Sequence, residues 1–283
     1  MTLDRRPGPT TRRTVSEVVD GAAHRRADTV VTEEPLEIRL AWPGQPAHRV
    51  AVTMRTPGAD FELAAGFLLS EGVLAATSPP RSIAYCTDVD LTPQQEFNVV
   101  TVELSELPRR HPASRSTTMS SACGVCGTES IDEIFTPDDD PIPVGSATPT
   151  DVLSSLPDQL SERQRVFSRT GSLHAAGAFD PAGNMIVLRE DVGRHNAVDK
   201  VLGARLLGAA SYDENVLLCV SGRVGFDIVT KAVAGRIGTV VAVGGPSSLA
   251  LDLADRAGVT VCGFARGRRF VVYTHPERVR AAW

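Results

Sequence analysis

The chain has 283 residues, enough for one large domain or two small ones with a substantial core. Apolar residues make up 42%, charged residues 22% and aromatics only 5%, with a formal net charge of -5. That balance suits a globular protein and argues against a general nucleic-acid binder or a base-stacking platform. Apolar runs fall short of the ~20 residues a membrane span needs, and the arginine pairs near the start lack the apolar region of a signal peptide. No membrane association and a reducing cytoplasmic setting are therefore expected.

Residues 1–13, rich in Arg, Pro and Thr, read as a disordered tail. Leu36–Trp42 alternates apolar and polar residues, Pro43-Gly44 offers a turn, and His48–Met54 reads as a partner strand. Asp60 has the chemistry to cap a helix from Phe61 to about Ser70, with Phe61, Ala64, Ala65, Leu68 and Leu69 on one face. Ile83–Asp90 and Phe97–Leu104 are further strands, so residues 14–107 form a small α+β lobe. From 108 to 158 Pro, Ser, Thr and Asp dominate and periodicity fades, as in a flexible connector. A short helix is expected to start at Ser130-Ile131-Asp132-Glu133, and Asp138–Asp140 to form a solvated acidic loop.

From 159 to 283 strands and helices alternate. Strands are expected at Ala175–Phe179, Met185–Glu190, Val216–Val220, Thr239–Val243, Val259–Phe264 and Phe270–Tyr273. Helices are expected from Asn196 to Leu207, from Phe226 to Ala234, and from the Gly244–Ser248 turn to Ala257. Such alternation implies a layered α/β lobe with a partly parallel sheet.

The most reactive stretch is Ser120-Ser121-Ala122-Cys123-Gly124-Val125-Cys126-Gly127, where Cys123 and Cys126 stand three positions apart in the connector. Paired thiols serve redox exchange, sulfur carriage or metal binding. The preceding segment is not the strand of a thioredoxin-type site. A structural zinc needs about four ligands, and only His111 is near. A zinc deaminase has proline before its cysteine pair and a His-x-Glu upstream; here Ala122 holds the proline position and no His-x-Glu precedes the pair. Sulfur transfer, thiol redox work, metal binding and an incidental pair all remain open on chemistry alone. A glycine-flanked loop suits sulfur carriage, and the attacking species would be the thiolate. Cys86, Cys219 and Cys262 stand apart among apolar residues and read as reduced core thiols.

Two further regions carry polar chemistry. Ser221-Gly222-Arg223 and Gly244-Gly245-Pro246-Ser247-Ser248 each follow a strand and precede a helix, a setting that binds phosphate or merely turns the chain. Arg266, Arg268 and Arg269 add charge at the carboxyl end of a strand, where open α/β sheets bind ligands. Together they favour an anionic, nucleotide-like ligand. Arg189–Asn196 with Asp199 and Lys200 reads either as a polar pocket wall faced by His174 or as an Asn196 cap with ion pairs.

These stretches resemble the formate dehydrogenase accessory sulfurtransferase family (FdhD type). The matching strings are Ser121–Gly127, Phe167–Ala176 and Glu190–Lys200, continued by Ser221–Arg223 and Gly263–Gly267. The Asp191-Val-Gly-Arg-His-Asn-Ala-Val-Asp-Lys200 string is far more specific than any Cys-x-x-Cys. The resemblance implies a cytidine-deaminase-like fold without zinc chemistry, and a homodimer. It implies a sulfurtransferase that takes sulfur from a cysteine desulfurase as a persulfide on Cys123, with Cys126 as its partner. The acceptor would be the molybdenum or tungsten bis(molybdopterin guanine dinucleotide) cofactor, with formate dehydrogenase as recipient and no tightly held metal in the chain itself. The family's cofactor-binding segment falls on Phe264, Ala265, Arg266, Gly267, Arg268 and Arg269. The alternatives are a non-catalytic metal- or nucleotide-binding adaptor and a thiol oxidoreductase.

Overall fold

The computed structural model describes residues 8–86, 92, 95–110, 141–142, 145–209 and 215–281. Cys123, Cys126, the helix expected at Ser130 and the acidic run Asp138–Asp140 lie outside the described residues.

The chain opens with a hairpin of β1 (Thr10–Val19) and β2 (Ala22–Val31), paired antiparallel along their full length. Thr10–Arg13, placed in the tail from sequence, are thus the first residues of β1. Asp20-Gly21 makes its turn with φ of 51° and 80°, the left-handed pair that a two-residue hairpin loop requires. Most of this ribbon is exposed on both faces.

A four-stranded sheet follows, ordered β4-β3-β6-β5. It comprises β3 (Glu34–Trp42), β4 (Gln45–Arg55), β5 (Ser82–Tyr85) and β6 (Val99–Glu103). Leu36, Ile38 and Leu40 alternate inward on β3 and are fully buried, as the period-two pattern demands. Helix α1 (Asp60–Ser70) lies beneath the sheet. It is buried nearly all round rather than along one stripe, and of the five expected core residues only Phe61 is left partly exposed. Asp60 does not cap it. Ala59 holds the cap position, and the buried Asp60 carboxylate takes two bonds from Arg55 at 3.1 Å and one from the Tyr85 hydroxyl at 2.8 Å.

The larger sheet has six strands ordered β13-β12-β11-β10-β8-β9. They are β8 (His174–Phe179), β9 (Met185–Asp191), β10 (Leu217–Val220), β11 (Thr239–Ala242), β12 (Thr260–Arg266) and β13 (Arg269–Val272). The strands β10, β11 and β12 run parallel, and the others pair antiparallel. Both faces are covered. Leu218, Val220, Val240, Ala242 and Val261 point to one cluster, and Leu217, Cys219, Val241 and Cys262 alternate into another. Helix α2 (Thr150–Glu162) covers the second face with Leu153, Leu156 and Leu160, and the four-residue α3 (Phe167–Thr170) follows it. Helices α4 (Arg194–Ala204), α5 (Phe226–Ala234) and α6 (Ser248–Ala257) contribute to the first face. A short parallel pair, β7 (Thr148–Pro149) with β14 (Val279–Arg280), ties the start of α2 to the last described residues.

Residues on both sides of the expected connector enter one hydrophobic cluster, which joins β3, α1 and β6 to α4, α5 and the large sheet. The join is tightest where α1 crosses α4. A Cβ on Gly66 would fall 1.8 Å from the Asp199 carbonyl oxygen, and one on Gly203 would fall 1.8 Å from that of Glu62. Only glycine permits backbones to approach so closely. Helix α2 itself spans the expected connector end at 158, its apolar stripe disguised by serines and acids.

Candidate functional site

The parallel strands end on one edge of the large sheet, and the loops there are laced together by backbone. Gly244 N–H donates to Gly222 O at 3.0 Å, Val224 N–H to Gly245 O at 3.2 Å, and Phe264 N–H to Gly244 O at 3.1 Å. A Cβ on Gly245 would lie 2.5 Å from the Phe264 ring, so a bare backbone forms the floor under that aromatic side chain. Phe264 is 48% exposed and held at φ 51°, a left-handed conformation that costs roughly 1–3 kcal/mol and persists only where its surroundings impose it. The β12–β13 register shifts here between Gly263 and Arg266, which turns the Phe264 ring outward.

Arg266, Arg268 and Arg269 are exposed beside the ring, and Gly267 makes the turn between them at φ 56°. Arg223 is exposed on the neighbouring loop. None of the four forms an ion pair among the described residues. Ala265 differs from the rest of its segment: it is 1% exposed and packs into the α2-side cluster, because it follows Phe264 on a strand whose side chains alternate. It is a core residue and presents no side chain to the open edge. Helices α5 and α6 both begin on this edge, after Gly225 and Ser247, and their N-terminal N–H groups add positive potential. A flat aromatic surface beside exposed guanidinium groups and two helix starts has the chemistry to receive a ring system carrying phosphates.

The polar string from β9 to α4 divides in two. Asp191 accepts from Thr56 N–H at 3.1 Å, Gly193 N–H at 2.9 Å and Asn196 Nδ2 at 3.0 Å, and pairs with Lys200 at 2.6 Å. Lys200 also donates to Thr56 O at 2.8 Å. Asp199 takes Lys231 Nζ at 2.7 and 2.8 Å and the Ser70 hydroxyl at 2.7 Å. Asn196 is not the helix cap, a place held by Gly193; its amide donates to Met54 O at 2.7 Å. These four buried groups fasten α4 to the β4–α1 region, with each charge paired and hydrogen-bonded as burial requires.

The other part faces the edge. His195 Nε2 contacts Asp227 Oδ2, and Arg194 Nε lies 4.0 Å from the same oxygen. Burial pushes the Asp227 carboxyl up, but the His195 hydrogen bond and the charges of His195 and Arg194 outweigh it and hold the group below its ordinary range. His174 opens β8, where Ser221 N–H donates to Ala175 O and Ala175 N–H to the Ser221 hydroxyl, both at 2.9 Å. Burial, then the charges of Arg194 and His195, push the His174 pKa down, which favours its neutral imidazole. Of the predicted polar wall, then, Arg194, His195 and His174 gather at the strand ends. Asp227 was not foreseen; its place in the first turn after Gly225 is the only sequence signal for it. The chain's His-x-Glu, His275-Pro276-Glu277, lies after β13, where His275 pairs with its own Glu277 at 3.0 Å.

The cysteines outside the connector behave as core thiols in two cases of three. Burial pushes the Cys262 thiol up to about 12 and Cys219 higher still. Cys86 is half-buried, with Arg39 Nη1 3.7 Å from its sulfur.

A family model described as the FdhD/NarQ family matches residues 31–280. The chain belongs to the FdhD/NarQ family. This is the family expected from the Asp191–Lys200 string. Among relatives, the sulfur carrier protein FdhD of Streptomyces coelicolor is 46% identical, with 95% of each chain covered. The protein of the same description from Mycobacterium tuberculosis is 43% identical, covering 90% of this chain and 92% of that one. A crystal structure of a candidate formate dehydrogenase accessory protein from Desulfotalea psychrophila superposes with a TM-score of 0.72 at 26% identity, covering 96% and 99% of the two chains. The mixed α/β architecture is thus shared with a solved FdhD-type structure. Among the described residues of this family member, no helix is long and apolar enough to cross a membrane.

Proposed function

We propose that this chain is a sulfur carrier serving formate dehydrogenase. The observation that carries the reading is the 43–46% identity, over nine-tenths or more of the chain, to relatives called sulfur carrier protein FdhD. The Cys123–Cys126 pair supplies the chemistry such a role needs. Cys123 ionises, and its thiolate attacks the outer sulfur of a persulfide on a cysteine desulfurase. The donor's S–S bond breaks, the donor leaves as a thiolate, and Cys123 becomes the persulfide. Cys126 assists as its partner.

The acceptor in this reading is the bis(molybdopterin guanine dinucleotide) cofactor of molybdenum or tungsten, taken as substrate. The loop edge supports that choice: Arg266, Arg268 and Arg269 match phosphates, and the half-exposed Phe264 ring offers a stacking face. The protein works as a cytoplasmic homodimer, and its large mixed sheet, helix-covered on both faces, is read as deaminase-like.

Incubation with a persulfide-loaded cysteine desulfurase, followed by mass spectrometry of intact protein and peptides, tests the proposal. An adduct of about 32 Da, one sulfur atom on a reactive thiolate, is expected on the peptide bearing Cys123 and not in Cys123→Ala. Stoichiometric zinc with no adduct would favour a metal-binding adaptor instead. Full formate dehydrogenase activity in cells that carry only Cys123→Ala would refute the sulfur-carrier reading.

A further inference from the structure

The amino ends of the parallel strands, opposite the arginine edge, hold a second charged feature. Arg278 is 5% exposed. Its Nη1 donates to Gly238 O at 2.8 Å and its Nη2 to Ile142 O at 2.7 Å, while Nε has no partner. A guanidinium carries five N–H donors and does not give up its charge in a protein. Among the described residues no carboxylate lies within ion-pair distance of it; the neighbouring Glu277 is exposed and paired with His275. Burial drags the Arg278 pKa down, and the charge of Glu277 only offsets this. Leaving a buried cation without a counter-charge is among the costliest arrangements a fold can hold.

Arg278 lines a cavity of about 130 Å³ together with Ser146, Thr148, Asn215 and Thr239. The hydroxyls of Ser146, Thr148 and Thr239 make no hydrogen bond among the described residues. Among the described residues the cavity therefore combines a positive charge without a counter-charge with three hydroxyl donors that have no protein partner. We infer that it is a binding site for a small oxyanion of the phosphate or sulfate class, gripped by the Arg278 guanidinium and the three hydroxyls. One water needs on the order of 10–15 Å³ of such space, so an ion with several oxygens fits. Drug-sized ligands and nucleotides, which occupy roughly 300–1,000 Å³, do not. A metal cation is excluded by the arginine. The inference is independent of the sulfur-carrier reading. It has a structural consequence, because Ile142 and Thr148 border the segment through which the chain returns from the cysteine-bearing connector. An ion on Arg278 would fasten that return.

The test is thermal unfolding of the full chain against sodium phosphate and sodium sulfate, with chloride at matched ionic strength as reference. The arginines at the carboxyl edge also attract phosphate, so the titration is repeated in Arg266→Ala/Arg268→Ala. Arg278→Met removes two backbone anchors and is unsuited, so the diagnostic variant is Ser146→Ala/Thr239→Val, which keeps the cavity's shape. The unfolding temperature should rise with either oxyanion in wild type and in the edge variant. In the hydroxyl variant the apparent affinity should fall about tenfold or more, as loss of two hydrogen bonds to a charged ligand implies. An oxyanion effect no larger than chloride's would overturn the inference. So would an effect that disappears in the edge variant or stays unchanged in the hydroxyl variant.

Discussion

Replacing Gly66 by alanine sets two physical effects against each other. Helix propensity alone predicts stabilisation, by about 1 kcal/mol, since glycine is a poor helix former. The crossing predicts the reverse. The added methyl would sit 1.8 Å from the Asp199 carbonyl oxygen and 2.6 Å from its carbon, both backbone atoms that cannot rotate aside. Close carbon–oxygen contacts settle at about 3.3 Å, so α1 and α4 must part by roughly 1.5 Å. A radial gap of about 0.5–1 Å already forfeits a quarter to a half of a dispersion contact, and the loss falls on every side chain packed across the crossing. Overpacking of this kind costs about 1–3 kcal/mol and occasionally more. Because both clashing atoms are backbone, the upper end of that range applies, and a net loss of about 2 kcal/mol is expected after the propensity gain, or about 4–8 °C in Tm for a chain of this size. Urea unfolding followed by circular dichroism, with a thermal melt, measures both. A variant within about 2 °C of wild type, or more stable than it, would show that the helices do not touch as described.

The other predictions probe the edge and the buried charges. Arg266→Ala/Arg268→Ala should weaken binding of guanosine diphosphate, a fragment of the proposed acceptor, by about tenfold or more without altering Tm; unchanged calorimetric affinity would remove these residues from the site. Lys231→Met leaves the Asp199 carboxylate buried without its two ammonium bonds, and should cost about 3–5 kcal/mol in urea unfolding. Adding Asp199→Asn should recover part of that loss, and strictly additive losses would contradict the pairing. The pH dependence has two windows. His174 is held below its ordinary value of 6.5, so the unfolded chain takes the proton first and stability is lost as pH falls from about 6.5 towards the folded value. Asp227 is held below 3.8, so its contribution is present above that value and lost as pH falls through the lower folded one. Urea midpoints for His174→Asn should therefore lose the upper step and keep the lower, with Asp227→Asn the converse; a common response in both would defeat the assignment.

Elements with a single strong period were legible in the sequence. The strands β3, β4 and β8 to β12 alternate or run apolar between turn residues, and α5 was placed with its observed ends. The β1–β2 ribbon was not, because a strand exposed on both faces shows no alternation; only Asp20-Gly21 marked its turn. At the edge, the arginines and Phe264 are read from composition and resemblance, while the burial of the Ala265 side chain is hidden, because a linear segment does not show which residues of a strand face inward. The string Asp191–Lys200 shows the limit most clearly. Its polarity is plain in the sequence, but whether Asp191 and Lys200 face a ligand or each other depends on Thr56, more than a hundred positions away. Asp60 and Asn196 fail as caps for the same reason: each has the right chemistry, but a stronger partner from another element claims it.

The pairing of Thr148–Pro149 with Val279–Arg280 bears on how the protein can be handled. Cleavage ahead of Arg278 would do more than trim a terminus: it would remove both the strand that holds α2's first turn and the guanidinium that holds Ile142. Shortened versions of this chain should therefore be compared with the full length before any change in sulfur handling is credited to the cysteines.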